Sequence, residues 1–494
     1  MASWKDVQFL DAKEQKALQN RLLQRFVERQ LYPFSPWYKA LFDKHSIRPG
    51  HIRRVEDLAD VPFTSKNDLL ATPEDPDRPR RFVLHPSPEL IRAHWPALQK
   101  VQLLAQRTLF GKERVRKDLR REYYPIFVTF TTGRSAVPVP FFYSGHDLDN
   151  LTESGLRLTD TLAFREDDRG LNLFPYAPHL AFWQVAMGGI AAGTLVMHTG
   201  GGKVAGTEGN LRALERIKPH IILGVPGYLY HLMREALKRD LRIEGVREVV
   251  FGADSVPPGL KQKAHMLMEK LGSPNVSVLG TYGFTEARMA WGECPTPDGS
   301  SSGYHVFPDM GIFEVINPDT GEVLPHEADG ELVYTPLTGR GTTVFRYRTG
   351  DLVEGGINHE PCPYCGRTLP RISSRLSRVS SVHTINLKKV KGTLINLEEL
   401  GRVLADDLEI EEWQVELRKK DNDPHEVDEL VVNIALKAGA DQAGVEARIR
   451  ERIKSHCEIS PNLVRFLEIE QLLDKLGMER EMKEKRFVDA RKSS

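Results

Sequence analysis

Three groups of residues in this sequence have types and spacings that could do chemistry. The first is Gly280-Thr281-Tyr282-Gly283-Phe284-Thr285-Glu286, which follows an apolar run at 276–279. That run reads as a buried strand and the glycine-rich stretch as a turn. Together they would present a hydroxyl, Thr285, and a metal-binding acid, Glu286, at the carboxyl edge of a parallel sheet, where open α/β folds bind ligands. The second group is Thr129-Phe130-Thr131-Thr132-Gly133-Arg134-Ser135, entered from a strand-like segment at 125–128. Small hydroxyl residues and a glycine allow backbone N–H groups and hydroxyls to curl around a polyphosphate while a cation screens its charge. The spacing is not that of a Walker loop. The third group is Cys294, His305 and the knuckle Cys362-Pro363-Tyr364-Cys365-Gly366, with His359 competing for the histidine place. Such a set offers four N/S ligands to a tetrahedral Zn²⁺ and leaves no open position, so the ion would brace the fold and take no part in catalysis.

These groups need a scaffold, and 494 residues exceed one ordinary core, so two or more domains are expected. Residues 1–60 read as helices with Trp37 and Tyr38 as core aromatics, and 61–69 as a turn and a helix capped by Thr64 or Ser65. Residues 100–122 form a basic amphipathic helix, whose charges serve either as a solvated face or as a docking surface. From 145 to 260 helix and strand alternate, with the segments 221–226 and 249–254 reading as buried strands that end in Gly. Residues 180–187 read as a buried helix, followed by a glycine turn and a short strand at 194–197. Downstream the pattern changes to a hairpin at 313–324 and strands at 330–334 and 344–348, a β-rich subdomain. Residues 400–494 alternate helix and strand again as a small α+β unit. The fold class is therefore α/β, with a large N-terminal domain at 1–374 and a small C-terminal domain at 375–494.

Composition sets outer limits. Lys+Arg 68 against Asp+Glu 68 gives no net charge, which argues against a nucleic-acid partner. Four cysteines do not make a disulfide framework, and residues 1–20 lack the apolar core of a signal peptide, so the cytoplasm is the expected location. The apolar stretch at 180–197 barely reaches membrane length and is broken by glycines, so no membrane span is expected.

Taken in order, the Thr131-Thr132-Gly133-Arg134 loop, the Tyr282-to-Glu286 stretch, Tyr347-Arg348-Thr349-Gly350-Asp351 and the terminal Met482-Lys483-Glu484-Lys485-Arg486 resemble the adenylate-forming superfamily of acyl-CoA synthetases. The phenylacetate-CoA ligase branch is the most similar. Phe130 stands where that family usually has Gly, Arg134 where it has Lys, and Met482 where it has Gly. The resemblance implies ATP-dependent activation of a carboxylic acid to an acyl-adenylate and transfer to a thiol, with CoA as acceptor and an aryl acid as substrate. It implies that Thr131, Thr132, Gly133 and Arg134 bind the β/γ-phosphates, Thr285 the α-phosphate, and Glu286 a Mg²⁺ ion. Gly252, Ala253 and Asp254 with Tyr282 and Gly283 would line the nucleotide, and Asp351 would accept hydrogen bonds from the ribose hydroxyls. Arg375, or Arg378, would be the linker arginine, and Lys483, with Lys485 as competitor, the catalytic lysine of a mobile lid. Tyr176, His179, Phe182 and Phe284 would flank the acyl pocket, with a satisfied structural residue as the other reading of His179. Some relatives carry a structural zinc at the place of the Cys/His set. A carrier-protein thiol or an amine as acceptor, a homodimeric assembly, and a catalytically silent zinc-braced nucleotide-binding protein remain open.

Overall fold

The computed structural model describes the chain except residues 1–2, 132–137, 255, 379–386, 391–392, 421–427, 458, 478–483 and 492–494. Its centre is a six-stranded sheet in the order Leu195–His198, Arg169–Asn172, Ile221–Gly224, Glu248–Phe251, Ser277–Phe284 and Met289–Gly292. The first five strands run parallel, and Met289–Gly292 closes the edge antiparallel to Ser277–Phe284. Ile221–Gly224 and Glu248–Phe251 are buried at every position, as strands covered by helices on both faces must be.

The sequence places a turn after 279, whereas the strand continues unbroken to Phe284. Its glycines serve close approach and not reversal. A Cβ at Gly283 would lie 2.7 Å from the Ala290 Cβ on the neighbouring strand, and one at Gly280 would crowd Tyr304 and Glu293. The reversal comes later, at residues 285–288. The buried helix also differs from its expected length, running Leu180–Ala192 through both glycines. A Cβ at Gly155 would sit 2.6 Å from the Gly188 Cα, so Gly188 lets two helices touch backbone to backbone. The helix ends at Gly193, φ +67°, a left-handed cap. The basic helix is two helices, Ala97–Phe110 and Lys112–Tyr123, separated by Gly111 at φ +84°.

Beyond the sheet, Gly311–Ile316, Gly330–Pro336, Tyr347–Val353 and Leu376–Arg378 form an antiparallel sheet. The expected hairpin at 313–324 is only a short return, with one bridge between Ile316 and Val323, and the main partner of Gly311–Ile316 is Gly330–Pro336. Residues 61–69 serve this sheet. Thr64 donates its hydroxyl to the Phe345 carbonyl at 2.6 Å and its N–H to the Arg346 carbonyl, while Ser65, one of the two expected caps, forms a capping box with Asp68. Tyr38 is fully buried beside them and Trp37 stacks on Phe82 at 4.6 Å, as core aromatics.

The C-terminal residues bury their own apolar cluster, which includes Leu400, Trp413, Val432, Ile449 and Ile453. It sits on a sheet ordered Leu463–Phe466, Asp428–Leu436, Ile410–Lys419 and Phe487–Asp489. The helix Ile469–Leu476 and the strand Phe487–Asp489 were not expected from sequence. This module docks on the large one through polar contacts. Asp406 Oδ1 accepts the Gly259 N–H at 3.1 Å, Arg402 meets Glu354 at 2.8 Å, and Arg234 pairs with Glu411. Among the described residues no helix is long and apolar enough to cross a membrane.

Candidate active site

Two buried tyrosines tie the edge of the central sheet to the antiparallel sheet. The Tyr282 hydroxyl donates to Asp351 Oδ2 at 2.8 Å, and the Tyr347 hydroxyl donates to Glu286 Oε1 at 3.0 Å. The strand Tyr347–Val353 thus supplies Asp351 and the phenol that holds Glu286, and the strand Ser277–Phe284 with its following turn supplies Glu286 and the phenol that holds Asp351. Asp351 is 5% exposed and Thr285 7% exposed, while Glu286 is half-buried at the turn. Gly283 is the exposed position of an otherwise covered stretch, which leaves its backbone open beside the acids. Hydrogen bonds to ionised carboxylates are stronger than neutral ones, so this pair of contacts fixes both acids firmly.

The local turn at Asp351 is built from its own motif. Gly350 takes φ +73°, its N–H meets Glu331 Oε1 at 3.2 Å, and Arg348 Nε meets Glu331 Oε2 at 2.9 Å. The pairing register shifts between Glu331 and Val333, which makes room for the turn. Next to this edge, Gly252, Ala253 and Asp254 leave the carboxyl end of Glu248–Phe251, whose Phe251 pairs with Gly280. Gly252 is required there because a Cβ would lie 2.4 Å from Thr281 Oγ1. Ala253 holds φ +67°, and Asp254 is exposed.

Of the expected phosphate loop, Thr132, Gly133 and Arg134 lie outside the described residues, as does Lys483. Thr131 sits in the neck of the loop, where its hydroxyl oxygen accepts the Val139 N–H at 3.1 Å. His179 binds that neck to the 172–179 loop. Its Nδ1 lies 3.0 Å from the Phe130 carbonyl, and a carbonyl only accepts, so Nδ1 carries the proton. The Phe130 N–H returns a bond to the Pro178 carbonyl at 2.7 Å. His179 therefore braces the neck of the loop against the 172–179 segment. Tyr176 and Phe182 meet edge to face at 5.1 Å, with Tyr176 exposed and Phe182 buried. Phe284, expected with them, packs instead among Tyr282, Trp291, Phe313 and Tyr334, because the lengthened strand turns it into the aromatic core. Arg375 is 67% exposed and lies 4.0 Å from Glu354, the carboxylate that also holds Arg402. Glu484, next after Lys483, packs its carboxylate against Gly227 and pairs with Arg486 at 2.6 Å. Burial pushes its carboxyl above the usual range against the pull of Arg486, with Glu412 and Asp254 adding repulsion. Sequence reading missed Tyr347 as a holder of Glu286, although it stands in the same motif as Asp351.

Cys294, His305, Cys362 and Cys365 converge, with all four donor atoms within 4.8 Å of one another. Tetrahedral zinc with Zn–S near 2.3 Å and Zn–N near 2.05 Å requires S···S about 3.8 Å and S···N about 3.6 Å. Cys294 Sγ and Cys362 Sγ are 3.7 Å apart, and Cys365 Sγ lies 3.4 Å from His305 Nε2, so the donor set fits that ion. His305 Nδ1 points to the Gly292 carbonyl at 3.3 Å, which leaves Nε2 as the ligating nitrogen. His359 is not in the set; its ring packs at a tilt against His326, centroids 4.5 Å apart.

Comparison with known proteins agrees with this geometry. The family model for AMP-binding enzyme matches residues 143–345. The phenylacetate-coenzyme A ligase of Thermus thermophilus is 27% identical over 380 residues, covering 76% of this chain and 73% of that one. The phenylacetate-coenzyme A ligase of Escherichia coli is 24% identical over 470 residues, 91% and 90% of the two chains. Among solved structures, 2-hydroxyisobutyryl-CoA ligase in complex with R3-HIB-AMP superposes with a TM-score of 0.73 at 18% identity, over 99% of this chain and 92% of that one. The chain thus carries an AMP-binding enzyme match over residues 143–345, is similar along most of its length to phenylacetate-coenzyme A ligases, and shares its fold with a solved acyl-CoA ligase.

Proposed function

We propose that this protein activates a carboxylic acid with ATP and passes the acyl group to the thiol of CoA, with an aryl acid of the phenylacetate kind as substrate. In the first step a carboxylate oxygen attacks the α-phosphorus, the bond to the bridging β-phosphate oxygen breaks, and pyrophosphate leaves. In the second, a thiol sulfur attacks the acyl carbon, the C–O bond to AMP breaks, and the thiol proton passes to solvent. Charge grows on phosphate oxygens in the first step, so the protein's work is positioning and electrostatic stabilisation.

The observation that carries this reading is the reciprocal bracing of Glu286 by Tyr347 and of Asp351 by Tyr282 at the carboxyl edge of the parallel sheet. Asp351 would accept both ribose hydroxyls, Thr285 would donate to the α-phosphate, and Thr131 with Thr132, Gly133 and Arg134 would cradle the terminal phosphates. Glu286 would hold Mg²⁺, which when bound neutralises phosphate charge. Lys483 would bridge the carboxylate and the α-phosphate from a lid spanning 375–494; its sequence neighbour Glu484 packs against Gly227 of the large module. The Cys294, His305, Cys362 and Cys365 set would hold Zn²⁺ as a structural ion, with a reducing compartment keeping the thiols available.

ATP–pyrophosphate exchange with a panel of aryl and alkyl acids tests the first step, and CoA-dependent AMP release tests the second. Exchange with aryl acids followed by CoA-dependent AMP release is the expected result. Exchange with no release under CoA, but with release under a carrier protein or an amine, would move the acceptor. No exchange with any acid would overturn the reading in favour of a silent homologue.

A further inference from the structure

The turn that carries Thr285 and Glu286 is held from behind by a buried ion pair that no motif announces. Arg288 ends this turn in the left-handed region, φ +60°, with its N–H on the Thr285 carbonyl at 3.1 Å. A non-glycine residue there is uncommon and persists only where the surroundings determine it. Arg288 Nη1 donates to Asp147 Oδ1 at 2.7 Å, with the two side chains 8% and 1% exposed. Asp147 also accepts from Ser144 N–H at 2.8 Å and Ser144 Oγ at 2.9 Å, and from the N–H groups of Arg340 at 3.0 Å and Gly341 at 2.7 Å.

One carboxylate thus gathers five donors from three segments: the start of the helix Gly145–Thr161, the loop at 339–341, and the reacting turn. Two glycines make the junction possible. A Cβ at Gly339, φ +145°, would lie 2.5 Å from Arg288 Nη2, and one at Gly341 would lie 2.0 Å from the Phe142 carbonyl. Burial alone would raise the Asp147 carboxyl, but Arg288 and the backbone donors outweigh it and hold it below the usual range, so the charge is kept.

We infer that Asp147 and Arg288 are positioning residues for adenylate formation: their ion pair fixes the 285–288 turn and so aims Thr285 and Glu286 at the nucleotide. The inference rests on the function proposed above. Neither side chain touches a reacting atom. Tyr347 holds the Glu286 carboxylate from the front, and the pair holds its backbone from the rear, so the acid has a single orientation. Loss of the pair would leave the acid present but loosely aimed, and misplacement of about 1 Å costs on the order of a hundredfold in rate.

Arg288→Gly is the informative variant, because glycine accepts φ +60° without strain while the side chain and its ion pair with Asp147 are removed. Two readouts are taken: ATP affinity by calorimetry with Mg²⁺ and with chelator, and the kcat and KM values of ATP–pyrophosphate exchange. The expected result is a fall in kcat of about 30-fold or more. The gain in ATP affinity given by Mg²⁺ should shrink about fivefold, and KM for the acid should stay within about twofold. Arg288→Lys, which keeps the charge, should recover part of the loss. Wild-type kcat and Mg²⁺ response in Arg288→Gly with only a lower Tm would overturn the inference and leave the pair a structural one. If Arg288→Gly melts below the assay temperature, Arg288→Lys decides: a drop of about fivefold or more in kcat with an unchanged KM for the acid supports the inference, and no drop overturns it. Wild-type protein that gives no exchange would instead overturn the proposed function, so the two failures are distinct.

Discussion

Replacing Tyr347 by Phe removes one oxygen and nothing else. The ring is 2% exposed and packs in the main core, so the phenylalanine keeps its contacts. What is lost is the 3.0 Å hydrogen bond to Glu286 Oε1. A hydrogen bond to a charged group contributes about 1.5–3 kcal/mol, and because Glu286 is half-buried the lower end, about 1.5–2 kcal/mol, applies here. At about 1.4 kcal/mol per tenfold, Tyr347→Phe should lower kcat/KM for ATP about 10- to 30-fold in pyrophosphate exchange. The melting temperature should hardly move. If the phenol acts only through the acid, the double variant with Glu286→Gln should be no slower than Glu286→Gln alone. A Tyr347→Phe enzyme within about twofold of wild type would refute the reasoning, as would fully additive losses in the double variant.

Three further outcomes are expected. Asp351→Ala should weaken ATP binding by about 10- to 100-fold while leaving CoA affinity unchanged, measured by calorimetry; unchanged ATP affinity would remove the ribose role. Metal analysis should find one zinc per chain, and Cys365→Ser should lose it and lower Tm, whereas equal zinc content and Tm would rule out the site. Lys263 lies 3% exposed where the helix Pro258–Lys270 meets the C-terminal module, and burial depresses it to about 8 from the usual 10.5, with Glu412 and Asp407 opposing and Lys437 and Arg486 adding to the fall. Between those two values the native state binds fewer protons than the unfolded state, so Lys263 makes stability rise with pH there. Its full cost, on the order of 3 kcal/mol, is present below about pH 8. Lys263→Met should therefore raise Tm at pH 7 and flatten the rise between pH 8 and 10; a lower Tm at pH 7 would contradict this.

What was legible in the sequence follows from how locally each feature is encoded. Cys362-x2-Cys365 is a local knuckle, and Tyr347-to-Asp351 is a local turn, so both could be recognised before any fold was known. His305 is the ligand the sequence reading puts first, with His359 as competitor; what excludes His359 is a strand pairing that brings Arg371 opposite His305 and has no local signature. Gly280 and Gly283 were read as turn formers by their usual habit, yet here they answer to crowding by Tyr304, Glu293 and Ala290, which only tertiary contact reveals. The same strand extension explains why Phe284 packs in the core. The contact of Asp147 with Arg288 joins residues 141 positions apart and leaves no periodic or motif trace. Within the helix Leu180–Ala192, two glycines look like a stop signal, but Gly188 marks the point where it meets the helix Gly145–Thr161 and Gly189 makes room for Val196 of the strand Leu195–His198.

The most direct test of the account is a crystal structure of the protein with a stable acyl-AMP analogue. It should show the ribose hydroxyls on the Asp351 carboxylate and the phosphate beside Thr285 and Glu286, with the Tyr282 and Tyr347 bonds intact. An analogue seated elsewhere, with both carboxylates untouched, would contradict it.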